Sequence, residues 1–304
     1  MRVFITGGTG LVGSRLVRTL LERNESPVVL SRNRSSAAAK FGADVEVVEG
    51  DPSVSGDWQS AVSACDAVVN LAGENIFARR WNDAFKARIQ DSRVLATRNV
   101  VTAIARAEHR PSVLVNASAI GYYGPHDDEE LAESAPVGND FLATACVAWE
   151  AAAREIGSTG VRTLILRIGV VLSTEGGALV QMLTPFKLGV CGPAGSGRQW
   201  MAWIHIDDVV GLILFAIDDA RVSGILNATA PEPVTNKVFS KALGRALHRP
   251  AFFPVPGFAL RMRFGQVAEV VLAGQRVIPK RAQELGYAFR FAKIDDALGD
   301  LLRR

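Results

Sequence analysis

Cysteine is scarce in this chain. The three present, Cys65, Cys146 and Cys191, stand far apart and form no CxxC pair. Neither a disulfide framework nor a zinc site is indicated, no metal is expected, and the reducing cytoplasm is the expected compartment. Long apolar runs are also missing. The most apolar stretch, VVGLILFAI at 209–217, is less than half of a membrane span, and MRVFITGGTG lacks the apolar core of a secretory leader. No membrane partner is expected. Charge of one sign is weak, with a formal net charge of +3 and no evident stripe of Lys or Arg. A nucleic-acid partner is therefore not expected, and RNRSSAAAK (32–40) reads as a local basic loop. What remains is an ordinary globular composition, 48% hydrophobic and 21% charged over 304 residues, enough to bury a sizeable core.

The first half alternates short apolar runs with longer amphipathic ones. RVFITG (2–7), PVVLSR (27–32), VEVVEGD (45–51), AVVNLAG (67–73), SVLVNASA (112–119) and RTLILRIGVVL (162–172) read as six strands. LVGSRLVRTLLERN (11–24), DWQSAVSA, 81–107 as one helix or two, and 141–157 read as helices between them. This alternation implies βαβ units and an α/β fold, a doubly wound parallel sheet of the Rossmann type covered on both faces. The expected division is a dinucleotide-binding core over 1–172, completed by parts of 203–230, and a smaller substrate-binding lobe over 173–304. The helix containing VVGLILFAI is expected to return to the core.

TGGTGLVG (6–13) lies between the first strand and the first helix. Gly7, Gly10 and Gly13 have the spacing of a turn that lets a diphosphate approach the backbone and rest on N–H groups at a helix start. Thr9, Leu11 and Val12 complete that expected contact set. The alternative is a bare structural turn. At the end of the second strand an NAD binder usually carries an acid for the ribose hydroxyl. This chain has LSRNR instead, with Ser31, Arg32 and Arg34. A guanidinium pairs well with a 2′-phosphate, so NADP(H) is the expected cofactor; otherwise these arginines are solvated loop charges. Asp51 is placed to reach the adenine edge. Leu71, Ala72 and Gly73 follow the fourth strand, where ligands bind in such sheets.

On these motifs the chain resembles the extended short-chain dehydrogenases/reductases, through TGGTGLVG, NLAG (70–73) and WIHIDD (203–208). More narrowly it is similar to an atypical epimerase-like subfamily with a C-terminal domain of unknown function. NLAGENI with RRW (70–81), SAIGYYG (118–124), CGPAGSGRQ (191–199), AWIHIDD (202–208), ALHRPAFFPVP (246–256) and LAGQRVIPKR (272–281) carry that likeness. The resemblance implies cofactor contact at Arg88 and Arg93. It also implies a catalytic serine after the fifth strand, matched by Ser118, and a Tyr-x-x-x-Lys pair on the next helix. With Glu150 as anchor, those two positions hold Leu142 and Cys146. The usual proton-moving pair is missing. Tyr122 and Tyr123, just after Ser118, are the candidate replacements, against a reading as a packing corner. Cys146 reads as a small buried residue. Arg167, Gly169 and Val171 end the sixth strand where the nicotinamide is expected. Arg198 and His205 are candidate substrate contacts, against a solvated loop charge and a structural histidine.

Two functions follow as expectations. One is an NADP(H)-dependent oxidoreductase or epimerase-like enzyme acting on a small polar substrate. The other is a non-catalytic NADP(H)-binding sensor that has lost the Tyr-x-x-x-Lys pair. Analogy with similar folds suggests a homodimer through the helices around 81–107 and 141–157.

Overall fold

The computed structural model describes residues 1–303. Its first part is a run of strand–helix units: β1 Arg2–Thr6, α1 Leu11–Glu22, β2 Ser26–Ser31, α2 Arg34–Phe41, β3 Glu46–Glu49, a 3-10 turn at Asp57–Ala64, β4 Ala67–Asn70, α3 Asp83–Arg106, β5 Val113–Ala119, α4 Phe141–Arg154 and β6 Arg162–Ile168. Then follow α5 Gly177–Lys187, α6 Ile206–Asp218, β7 Gly224–Ala228, α7 Asn236–Ala246, α8 Gly257–Phe264 and a terminal helix Ile294–Arg303. The seven strands form one sheet in the order β7-β6-β5-β4-β1-β2-β3. All its pairings are parallel.

Strand alternation sorts the core onto the two faces of this sheet. Val3 and Ile5 of β1 pack with Leu16, Val17 and Leu20 of α1 and with α6, while Phe4 between them packs with Trp58, Val100 and Ile104 on the other face. Burying each large side chain contributes about 1.5–3 kcal/mol. The chain runs outward from β1 to β3 and returns on the far side of β1 at β4. The crevice at this reversal is where ligands bind in open α/β sheets. A second cluster of Leu172, Leu179, Trp203, Phe239, Leu243, Phe291 and Leu298 forms a smaller core, and Leu11 and Val12 pack against it. Helix α8 contributes no buried residue.

Two local expectations change and one open alternative is decided. RTLILRIGVVL is not one strand: β6 ends at Ile168, and Val170–Leu172 pairs instead with Trp203–His205. The break falls at Gly169, where a Cβ would lie 2.5 Å from the Ala202 carbonyl oxygen. RNRSSAAAK is not a loop, because the Asn33 side chain accepts from the Ser36 N–H and starts α2. Residues 83–106 form one uninterrupted helix.

Candidate cofactor and active site

The glycine turn joins the ends of the two strands that flank the reversal. Gly7 has φ +66°, and a Cβ on it would lie 2.7 Å from the Leu71 carbonyl oxygen at the end of β4. At Gly13 a Cβ would lie 2.3 Å from the Gly7 oxygen. Neither position accepts a side chain. The turn closes through Gly10 N–H to the Gly7 oxygen at 3.0 Å. Helix α1 begins at this turn with no side-chain cap and no acid in its first turn, so its end suits an anion. Thr9 is exposed, while Leu11 and Val12 are half-buried. The start of α5 closes over them: a Cβ at Gly177 would lie 3.1 Å from the Leu11 side chain and 3.6 Å from the Val171 carbonyl oxygen. Leu11 and Val171 therefore share one wall, and Gly169 allows the chain to pass close behind it.

The other end of the groove is cationic. Ser31 uses its hydroxyl to close a turn, donating to the Asn33 oxygen at 3.0 Å and accepting from the Asn33 N–H at 3.2 Å. Arg32 and Arg34 are exposed beside it. Lys40, from the last turn of α2, reaches back and donates to the Thr9 oxygen at 2.8 Å. The sequence reading missed Lys40 because it missed α2. Asp51 accepts from both the N–H and the hydroxyl of Ser53, at 2.8 and 2.7 Å, through Oδ1.

Leu71–Gly73 is held from beneath by a buried polar chain that sequence reasoning did not find. Thr6 Oγ1 donates to Asn70 Oδ1 at 2.5 Å and accepts from the Ala72 N–H at 3.3 Å. Asn70 Nδ2 donates to Thr97 Oγ1 and Asn116 Oδ1, and Trp149 Nε1 donates to Thr97 Oγ1 at 3.0 Å. These residues are far apart in sequence, so no local pattern signals them. Arg93 lies against Gly73, donates to the Ile89 and Glu74 carbonyls at 2.8 and 3.0 Å, and stacks on Trp149. Burial lowers its pKa, against the pull of Cys146 and Glu74. Arg88 is instead exposed and paired with Glu74 at 2.7 Å.

The structure brings Ser118, Tyr123 and Arg167 together, but inside the protein. Ser118 Oγ donates to Glu150 Oε1 at 2.9 Å. Arg167 grips the same carboxylate with Nε at 2.7 Å and Nη2 at 2.9 Å. Its Nη1 donates to the Tyr123 hydroxyl at 3.0 Å, which in turn donates to Asn227 Oδ1 at 2.7 Å. Tyr123 and Glu150 are 0% exposed and Arg167 1%. Burial pulls the Arg167 pKa down, but Glu150 and Tyr123 together outweigh it and the net shift is upward; burial raises that of Tyr123. Ser118, Tyr123 and Arg167 are thus tied to one another through Glu150 inside the core, because a buried charge needs a partner and these groups supply it.

Tyr122 is the remaining proton-bearing candidate. It is half-buried, with the Arg167 guanidinium 3.3 Å from its ring centroid. Around the loop after β5 stand Leu142, packed on Gly121, and Cys146, whose Sγ is 3.7 Å from the Ala119 oxygen. Burial and then Glu150 push the Cys146 thiol up to about 11, against Arg93. Gln275, from the C-terminal segment, donates to the Ile120 oxygen at 2.9 Å. It too was missed.

His205 is fully buried, its Nδ1 accepts from the Asp207 N–H at 3.0 Å to cap α6, and its ring lies 3.9 Å from that of Phe291. Arg198 is exposed on the 191–199 loop, beside the φ +68° turn at Gly197.

The model of the "NAD dependent epimerase/dehydratase family" matches residues 3–228, and that of a "Domain of unknown function (DUF1731)" matches 255–301. The chain is 42% identical to an Arabidopsis thaliana protein named "Epimerase family protein SDR39U1 homolog, chloroplastic", covering 100% of the chain and 87% of that protein. It is 40% identical to the "Epimerase family protein MT2273" of Mycobacterium tuberculosis, covering 98% and 96%. The crystal structure of the human epimerase family protein SDR39U1 (isoform 2) with NADPH superposes with a TM-score of 0.89 at 36% identity, covering 100% of this chain and 99% of that one. UDP-glucose 4-epimerase of Thermotoga maritima shares the fold, with a TM-score of 0.79 at 17% identity and coverage of 100% and 98%.

Proposed function

Because the chain belongs to the NAD dependent epimerase/dehydratase family, we propose that it binds NADP(H) across the crevice at β1 and β4 and acts as an oxidoreductase on a small polar substrate. The cation set of Arg32 and Arg34 at the start of α2 and Lys40 reaching back from its last turn, with no acid at the end of β2, carries the choice of NADP(H) over NAD. The side-chain-free approach at Gly7 and Gly13 fits a dinucleotide diphosphate, and the human relative crystallised with NADPH supports the same reading. Arg93 and the Leu71–Gly73 backbone line the middle of that groove. Bound there, the cofactor supplies or accepts hydride. The chain's own part is to orient the substrate and move one proton. Tyr122 does the latter, and Arg198 draws in an anionic group.

A second reading has its own observation. Leu142 and Cys146 occupy the places of the usual Tyr and Lys, and Ser118 and Tyr123 are bound up in the core. A protein with this site serves as an NADP(H) sensor if Tyr122 moves no proton. NADPH deuterated at the transferable position separates the two. Incubated with the full chain and a small-molecule extract, it labels a metabolite if the protein is an oxidoreductase. Absence of label, in a sample shown to bind NADPH, leaves an epimerase that returns its hydride to the same substrate or the sensor, and shifts the weight to the sensor. Leu95 on α3 and Val147 on α4, 43% and 41% exposed on neighbouring helices, support a homodimer through that face. The three unpaired cysteines suit a reducing cytoplasm.

A further inference from the structure

The smaller lobe gathers cations that the linear sequence does not show as a stripe. Residues 176–206 and 233–268 contain no Asp or Glu but hold Lys187, Arg198, Lys237, Lys241, Arg245, Arg249, Arg261 and Arg263. The chain's formal net charge is +3, so these eight cations leave the rest at −5. Four of them, Lys237, Lys241, Arg245 and Arg249, converge on one groove. A cavity of about 710 Å³ lies between α7 and the segment after it, lined among others by Lys237, Lys241, Arg245, His248, Arg249 and Phe252. No acid lines it, and none of the cofactor residues does either.

The placement follows from the helix period. Lys237, Lys241, Arg245 and His248 recur on one stripe of α7 and its end, while Phe239, Ala242 and Leu243 pack into the core behind. Like charges at this spacing repel, and among the described residues Asp295 answers one of them, pairing with Arg245 at 2.6 Å. His248 holds a left-handed φ of 53°, which turns the chain so that Arg249 and Phe252 face the same groove. Arg249 is braced by a bond from Nε to the Lys187 oxygen at 3.0 Å, leaving its terminal nitrogens to the groove. Phe252 is 73% exposed at the mouth, its ring 5.8 Å from that of Phe253 and otherwise turned to the groove.

We propose that this groove is a second ligand site, separate from the dinucleotide crevice, that binds a soluble, multiply phosphorylated organic molecule: its phosphates on the Lys237–Lys241–Arg249 cations and its ring or apolar portion over Phe252. The volume is that of a small-molecule site, and point-charge lysines with a forked arginine are the usual phosphate donors. The site also reaches the loop that carries Arg198. The Lys237 N–H bonds the Gly197 oxygen and the Asn236 N–H the Gln199 oxygen, both at 2.9 Å, so a ligand on α7 holds that loop.

The test uses the full chain saturated with NADPH, with ATP and inorganic tripolyphosphate as probes in titration calorimetry. Both bind saturably at one site, more weakly as salt rises. The Lys237→Ala/Lys241→Ala variant loses about a hundredfold for both, roughly tenfold per charged contact, with NADPH affinity unchanged. Phe252→Ser weakens ATP several-fold and leaves tripolyphosphate alone. Equal ATP binding by the lysine variant overturns the proposal, as does loss of all ATP binding once NADPH saturates the protein. So does a wild-type chain that ignores both probes yet sediments with phosphatidylglycerol vesicles or shifts a thymidine oligonucleotide, since the surface is then for a lipid headgroup or a nucleic acid.

Discussion

Arg32 stands exposed at the end of β2, where the choice between two cofactors depends on a single phosphate. Arg32→Ala is expected to weaken NADPH by roughly tenfold to a hundredfold and NADH hardly at all, because only the former offers a group to pair with. Fluorescence titration with both nucleotides checks this, and equal losses would refute the 2′-phosphate assignment. Tyr122→Phe removes the one tyrosine hydroxyl near the site not tied into the core. Any turnover found is expected to fall at least tenfold. An unchanged rate would remove Tyr122 from the mechanism. Cys146 bears on pH. Its thiol is raised from 9.0 to about 11 in the fold, so the neutral form is favoured there. Its contribution is fully present below pH 9 and is lost as pH rises through about 11. Denaturant midpoints are therefore expected to fall between those values, and less steeply in Cys146→Ala. At this scale the sequence was partly readable. Gly7, Gly10 and Gly13 declare themselves by spacing. The burial of Ser118 did not, because the side to which a strand residue points depends on register, which no local motif encodes.

Helix α4 and strand β6 are bound by a carboxylate and a guanidinium that never meet water. Glu150→Gln keeps the shape but strands the Arg167 charge among Tyr122, Tyr123 and Asn227. The expected loss is about 3–5 kcal/mol in urea unfolding, and Glu150→Leu with Arg167→Met is expected to recover much of it. If the single change proves neutral, the pair does not hold the two elements together. Element boundaries were legible where hydrophobic period changes and illegible where it does not. RTLILRIGVVL is apolar throughout, so the jump between sheets at Gly169 leaves no mark except the glycine. Helix α2 buries only Ala37, so it exists by virtue of its Asn33 cap rather than an apolar stripe.

For the molecule as a whole, the C-terminal segment is part of the core architecture. The Ile278 oxygen accepts from Asn227 Nδ2 at 3.0 Å, and the Arg281 N–H donates to Glu133 at 3.2 Å. A chain cut after residue 254 is expected to unfold on the order of 10 °C lower, since several buried bonds go at once and each kcal/mol is worth about 2–4 °C at this size. Differential scanning calorimetry would show it; an unchanged transition would mean that the segment is merely attached.

The bond from Gln275 to the Ile120 oxygen spans 155 positions in the chain. A ribosome adding about 5–20 residues per second needs roughly 8–30 s to cover that stretch. For that interval the newborn protein has its glycine turn, its β1 and β4 ends and the cations around α2, but the loop beside Tyr122 still lacks its bond to Gln275. Dinucleotide capture can thus precede completion of the substrate side, and synthesis itself imposes the order in which the two halves of the site come into being.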